Sequence, residues 1–257
     1  MKMLATYTIW FGIYAFIGWI YESGLRSIRY GKLYNSGFLF GPYIPIYGFG
    51  AIIDIYLCGS LNNPFYVFII CAFIDTLLEY ITSWGMEKLF HARWWDYSDN
   101  PFNINGRVFL GGFIAFGLFA CVVVLFVHPF IAAHTTVLMS NLSLYICALV
   151  IVIVMLTDTI RTVISIKDFE KKVAMLEERV YEIKDNITER LDDRKEAFDE
   201  SKEKHLERIR EVLGSFNSEE KRLMNAFPHL KFENARYEIE EIRKMIRENN
   251  EKTFHNR

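Results

Sequence analysis

Residues Phe113 to Val127 read FIAFGLFACVVVLFV, with no charged side chain. Leu144 to Leu156, LYICALVIVIVML, has the same character. A helix needs ~20 mostly apolar residues to cross the hydrocarbon core of a bilayer, and both runs reach that length with their flanks. Outward from these two, the sequence predicts five spans, at about 3–21, 42–58, 64–84, 107–128 and 143–165. The expected fold class is all-α, a polytopic membrane helix bundle in contact with the lipid bilayer. The first span does not read as a signal peptide. Only Lys2 precedes it, no small-residue cleavage motif follows, and it ends in Trp19, Tyr21 and Glu22.

Charge divides the chain. Up to Ser165 the cations are Lys2, Arg26, Arg29, Lys32, Lys88, Arg93, Arg107 and Arg161, and the anions are Glu22, Asp54, Asp75, Glu79, Glu87, Asp96, Asp99 and Asp158. Most of the 29 basic and 31 acidic residues therefore lie beyond Ile166. This separates a transmembrane domain, 1–165, from a cytoplasmic helical domain, 166–257. Arg26, Arg29 and Lys32 follow the first span, and Lys88, Arg93 and Arg107 follow the third; the loops after the second and fourth carry neither Lys nor Arg. The bias of basic residues toward the inner side places the N-terminus outside and the tail in the cytoplasm of a multi-pass cell-membrane protein. Cys58, Cys71, Cys121 and Cys147 sit in or beside apolar spans without a CxxC pair. They read as small packing residues, so neither a disulfide framework nor a metal site is expected.

Charged groups within spans usually face a bundle interior or a water-filled cavity. Asp75, Glu79 and Ser83 recur every fourth residue in the third span, with Glu87 continuing the series. Residues four apart share one helical face. Glu22 and Arg26 end the first span, Asp54 sits in the second, and Asp158 and Arg161 lie near the inner end of the fifth. The loop after the third span, WWDYSDNPFNINGR, adds Asp96, Asn103, Asn105 and Arg107. Glu22, Arg26, Asp75, Glu79, Ser83, Asp96, Asn105, Arg107 and Asp158 are the candidate site residues. They form either a polar pathway or a set of ion pairs fixing helix register, such as Glu22 or Glu79 with Arg26 or Arg107.

Residues 35–50, NSGFLFGPYIPIYGFG, are apolar yet broken by glycines and prolines. Irregular backbone at membrane depth is tolerated only where protein or a cavity surrounds it, and an interrupted short span points to a transporter binding region. The same pattern also fits a tightly packed helix start with no ligand. Tyr43, Tyr47, Trp94, Trp95 and Tyr97 are expected as interfacial rings. Glu22 through YGKLYNSGFLFGP parallels Glu79 through EKLFHARWWDYSDNPFNINGRVFLGG. Each has a Lys-Leu-aromatic triplet and a glycine-flanked return to the membrane, which suggests a parallel two-span repeat or two hairpins with similar interface residues.

The sequence GWIYE ending at Glu22, the stretch 35–50, Glu79 with Ser83, and RWWDYS followed by FNINGRVFL together resemble the ABC-transporter type IV permease family (CmpB-like) over roughly residues 5–165. The resemblance implies a membrane-embedded permease subunit with a separate ATPase subunit as partner, and assigns no substrate, cofactor or catalytic residue. The chain has no GxxxxGK[ST] phosphate loop of its own.

Beyond the resemblance, Ile166, Phe169, Val173, Leu176, Val180, Ile183 and Ile187 follow a heptad seam. The stretch 190–203 breaks it, Leu206, Ile209 and Leu213 resume a weaker stripe, and Ile239, Ile242, Met245 and Ile246 form a last one. The 166–187 seam would serve a homo-oligomeric coiled coil or a docking arm, or fold back as a hairpin. Interspersed acids and bases argue against nucleic-acid binding, and His205, His229 and His255 are isolated surface residues. No nucleophile–base–acid set stands out, so an enzyme is not expected. The two functions in contention are a permease subunit and a membrane-anchored scaffold or sensor acting through its tail.

Overall fold

The computed structural model describes residues 1–138, 140–189, 207–209, 211–212, 214–233, 238–241 and 244. The stretch 190–203, the stripe residues Leu206, Leu213, Ile242, Met245 and Ile246, and His205 and His255 lie outside the described residues, as do the side chains of Ile183 and Ile187.

Helix α1 runs Lys2–Tyr30 and stops at Gly31, whose φ of 65° makes the left-handed turn that closes many helices. Helix α2 is Pro45–Cys58 and α3 is Pro64–Phe90. Helix α4, Leu110–Val122, passes through a π turn at Val123–Val127 into α5, His128–Leu138. Helix α6 is Asn141–Glu189 and α7 is Ser218–Ala226. The strands are two-residue pieces: β1 Ala92–Arg93, β2 Asn103–Ile104, β3 Val108–Phe109 and β4 Lys231–Phe232.

Four helical stretches are long and apolar enough to cross a membrane: Lys2–Tyr30, Pro64–Phe90, Leu110–Thr135 and Asn141–Tyr181. The second of the five expected spans differs. It is a 14-residue helix, about 21 Å long at 1.5 Å per residue, which is short of a ~30 Å hydrocarbon core. Its start is fixed at Pro45, because proline is accommodated in a first helical turn and not further in. Residues 31–44 are non-helical.

The chain divides into two compact units, one comprising Met1–Leu89 with Trp95–Thr162, the other Phe90–Trp94 with Val163–Arg257. In the first, α1 and α2 pack closely. A Cβ at Gly48 would stand 2.6 Å from a Phe11 ring carbon and 2.8 Å from the Phe11 carbonyl oxygen, so only glycine allows this approach. Cys58, Val67, Cys71, Ala120 and Val124 form one buried cluster joining α2, α3, α4 and the π turn. The cysteines pack there as free thiols. Phe16, Ile17, Ile20, Leu149, Val150 and Ile153 stay exposed, an apolar outer surface suited to lipid.

In the second unit, Ile166, Phe169, Val173 and Leu176 of α6 are buried. Phe169 packs edge-on against Phe216 and Phe232, with ring centroids 6.0 Å apart in each case. Strand β4 pairs antiparallel with β1, Ala92 opposite Phe232, and Trp94 packs on Phe227. The heptad positions from Ile166 to Val180 are thus buried within the chain itself. Phe216 and Phe232 supply apolar partners for Phe169 of the seam.

Asn217 caps α7 through a capping box with Glu220. The buried Glu220 carboxylate also receives Lys172 Nζ at 2.8 Å. Lys172→Ala leaves that carboxylate without its cation while keeping the Asn217 N–H bond, and is expected to cost about 2 kcal/mol. Loss of protease resistance in 166–233 at a lower denaturant concentration than wild type is the measurement; unchanged resistance contradicts the assigned pair.

Candidate functional site

The broken stretch after α1 is held by polar side chains of neighbouring helices. Ser27 Oγ accepts the N–H of Tyr34 at 3.0 Å, and Ser23 Oγ accepts the N–H of Ser36 at 3.1 Å. Trp19 Nε1 donates to Asn35 Oδ1 at 2.6 Å, while Asn35 Nδ2 donates to the Phe40 carbonyl at 3.0 Å. The N–H groups of Phe40 and Gly41 donate to the Asp158 carboxylate at 3.2 and 2.8 Å, joined by the Tyr43 hydroxyl. The N–H of Ile44 donates to the Ala15 carbonyl at 2.9 Å. Non-helical backbone survives beside apolar helices because its donors find internal acceptors. Asp158 is thereby accounted for as an anchor of this stretch.

Helix α2 then presents Gly50, Asp54 and Cys58 at four-residue intervals, and α3 presents Cys71, Asp75 and Glu79. The helices run antiparallel, so the two stripes meet in opposite order. Cys58 Sγ lies 3.5 Å from Cys71 Sγ. The Asp54 and Asp75 carboxyl groups meet within hydrogen-bonding reach. A Cβ at Gly50 would stand 2.8 Å from Asp75 Oδ1, so the missing side chain there is what lets the carboxyl close against α2.

One turn further along α3, Glu79 is buried and accepts the Tyr97 hydroxyl at 3.3 Å. Glu22 of α1 accepts the Tyr47 hydroxyl at 2.9 Å. Glu22 and Glu79 are close enough to act on one another, as are Glu79 and Asp75. A continuous string of acids, Asp54, Asp75, Glu79 and Glu22, therefore runs between α1, α2 and α3. Burial, followed by the neighbouring Glu79 and Glu22, holds the Tyr97 phenol well above its ordinary range, so it remains a donor to Glu79.

The α3 face changes character toward its C-terminal end. Arg107 donates to Ser83 Oγ at 3.1 Å and pairs with Glu87 at 2.9 Å. Its guanidinium lies 5.8 Å from the Tyr80 ring centroid. Asn105 Nδ2 donates to the Tyr80 hydroxyl at 2.9 Å. Asn105 and Gly106 turn the β2–β3 hairpin with φ of 53° and 64°, the positive values for which an Asn-Gly pair is favoured. The hairpin delivers Arg107 to α3.

A family model described as Putative ABC-transporter type IV matches residues 9–163. The chain belongs to this family. The match covers the residues that build the acid string, the anchored stretch and the Arg107 hairpin. With its four long apolar helices, this ABC-transporter family member is a multi-pass membrane protein. No curated protein and no solved structure matches the chain.

Within this family member, the sequence-derived candidates fall into three places. Glu22, Asp75 and Glu79 join the acid string, with Arg26 acting on Glu22 from one turn away. Ser83, Asn105 and Arg107 form the hairpin dock. Asp158 anchors the broken stretch, and Asp96 accepts the Ser98 N–H at 2.9 Å within its own turn. Arg107 pairs with Glu87 rather than with Glu22 or Glu79.

Asp54, Gly50, Tyr47 and Tyr97 belong to the site although they are not among the sequence-derived candidates. The four-residue spacing of Gly50, Asp54 and Cys58 was the available signal. Tyr43, Tyr47 and Tyr97, expected as interfacial rings, instead hydrogen-bond Asp158, Glu22 and Glu79. Trp95 donates to the Arg107 carbonyl at 3.2 Å. Among the described residues, no group of three or more His, Cys, Asp or Glu side chains is placed to hold a metal ion.

Proposed function

We propose that the chain is a permease subunit whose solute pathway follows the acid string of α1, α2 and α3. The observation that carries this reading is that Asp75 meets Asp54 across α2 and α3 and adjoins Glu79 one turn along, with no described Lys or Arg paired to any of the three. Ion pairs that merely fix register would place a cation beside each acid, as Arg107 stands beside Glu87. Carboxylates held together between apolar helices are costly and are explained by a positively charged or proton-bearing cargo.

In this reading the chain is not itself an enzyme, and a separate subunit hydrolyses ATP if ATP drives the transport. The short α2 counts as a fifth, incomplete span beside a non-helical approach, as in transporters with discontinuous helices. Glu22 of α1 and Glu79 of α3 are equivalent positions of a parallel two-span repeat. The N-terminus is outside, and 166–257 is cytoplasmic. Self-association through 166–187 would require Phe169 to exchange its contacts with Phe216 and Phe232 for those of a second copy.

The test is the small-solute content of cells that carry the full chain, compared with cells lacking it and with cells in which the second unit is deleted. A solute difference that needs the membrane part supports the permease. A second reading, a scaffold or sensor, is favoured by the separately packed second unit. It prevails if solute content never differs among these cells.

A further inference from the structure

We infer that Asp54 and Asp75 form a binding site for one exchangeable proton, shared between their carboxyl groups across the α2–α3 contact. Asp54 is only 3% exposed, and its Oδ1 is buried without a hydrogen-bond partner. Asp75 Oδ1 is likewise buried and unpartnered, as is Oε2 of Glu79, which is 8% exposed. Two carboxyl groups in contact are complementary only when a cation lies between them. A proton needs only the two oxygens, whereas Ca²⁺ or Mg²⁺ takes six or more ligands and Zn²⁺ takes four, and no described group of three or more His, Cys, Asp or Glu stands here to hold a metal ion.

The surroundings suit a proton carrier. From α2, Cys58 lies near the pair. From α3, Cys71 touches Asp54 and Glu79 faces Asp75. From α4, Cys121 is close to Asp54. From α1, Glu22 stands beyond Glu79. None of these groups is a cation that could replace the proton. Release leaves two carboxylates and returns H⁺ to water, and uptake reverses this. Glu79 and Glu22 continue the string and offer the next acceptors for the same proton. The site names the driving or transported ion of the permease reading and rests on that reading for its purpose. Its chemistry can be measured without transport.

The full chain in lipid nanodiscs is treated with dicyclohexylcarbodiimide, which reacts with protonated carboxyl groups in apolar surroundings, and adducts are mapped by mass spectrometry. Adducts are expected on Asp54 or Asp75, with labelling falling about tenfold per pH unit once the pair is mostly ionised. Asp75→Asn is expected to abolish labelling of Asp54, because the amide donates to Asp54 and removes the need for a shared proton. Asp54→Asn should do the same to Asp75.

Three results overturn the site: no adduct at either residue over the accessible pH range, Asp54 labelling that persists in D75N, or protection of the wild type by sodium or lithium. Infrared spectra of the wild type supply a readout independent of variant folding. A buried protonated carboxyl band that disappears at alkaline pH supports the site, and its absence at every pH contradicts it. The permease reading fails separately, if labelling follows this pattern while solute content never depends on the chain.

Discussion

Asp158→Ala is expected to lower the stability of the first unit by about 3–5 kcal/mol. The wild-type carboxylate accepts the N–H groups of Phe40 and Gly41 and the Tyr43 hydroxyl, and Thr162 Oγ1 donates to it at 3.4 Å. Alanine leaves these donors without an acceptor, at about 1–3 kcal/mol for each one that stays buried. Partial exposure of the segment discounts the sum. Water cannot fully replace the acceptor where the chain runs beside apolar helices. Asp158→Asn keeps one acceptor oxygen and is expected to lie between the two. Thermal unfolding of purified protein in mild detergent measures the series. A wild-type midpoint for Asp158→Ala would show that the stretch 31–44 is held by something other than this carboxylate.

Asp75→Asn and Glu79→Gln are expected to reduce transport to the level of membranes lacking the chain, with little effect on folding. The geometry separates these two consequences. In D75N the new amide can donate to Asp54. In E79Q the remaining side-chain carbonyl oxygen still accepts the Tyr97 hydroxyl, as the Glu79 carboxylate does in the wild type. Each substitution preserves volume, so the stability change should stay within about 1 kcal/mol. What is lost is the negative charge, and with it the capacity to carry a proton or attract a cation. Arg107→Gln is the control on the same α3 face. It breaks the pair with Glu87 and should lower stability more than the other two. Wild-type transport by both D75N and E79Q would remove the pathway from the acid string.

The membrane character of the first part was readable because apolar runs such as 113–127 need no tertiary information. The four-residue series from Asp75 to Glu87 likewise identified one α3 face, since helical periodicity is local. Its division into an unpaired half and an Arg107-bound half was not readable. That depends on where an Asn-Gly turn aims the hairpin, which is a matter of φ angles at Asn105 and Gly106 rather than of spacing.

The exact start of α2 was not readable for a related reason. The apolar content of 42–58 predicts a span, but Pro45 delays the helix and the preceding residues find hydrogen bonds on Ser23, Ser27 and Asp158 instead. Those partners lie 7 to 118 residues away in sequence, beyond any window of periodicity. Ile166, Phe169, Val173, Leu176 and Val180 of the heptad seam are buried, and Phe169 meets Phe216 and Phe232 of the same chain. A 3-4 repeat specifies an apolar groove without saying whether Phe216 and Phe232 of the same chain will fill it.

A pathway along α1, α2 and α3 requires Asp54, Asp75 and Glu79 to face other helices and not acyl chains. Carbene footprinting of the wild-type protein from a diazirine-bearing phospholipid, read by mass spectrometry, tests this without altering a residue. Adducts are expected on the outward side chains Leu149, Val150 and Ile153, and none on Asp54, Asp75 or Glu79. Adducts at Asp75 or Glu79 as abundant as those at Ile153 would contradict the account.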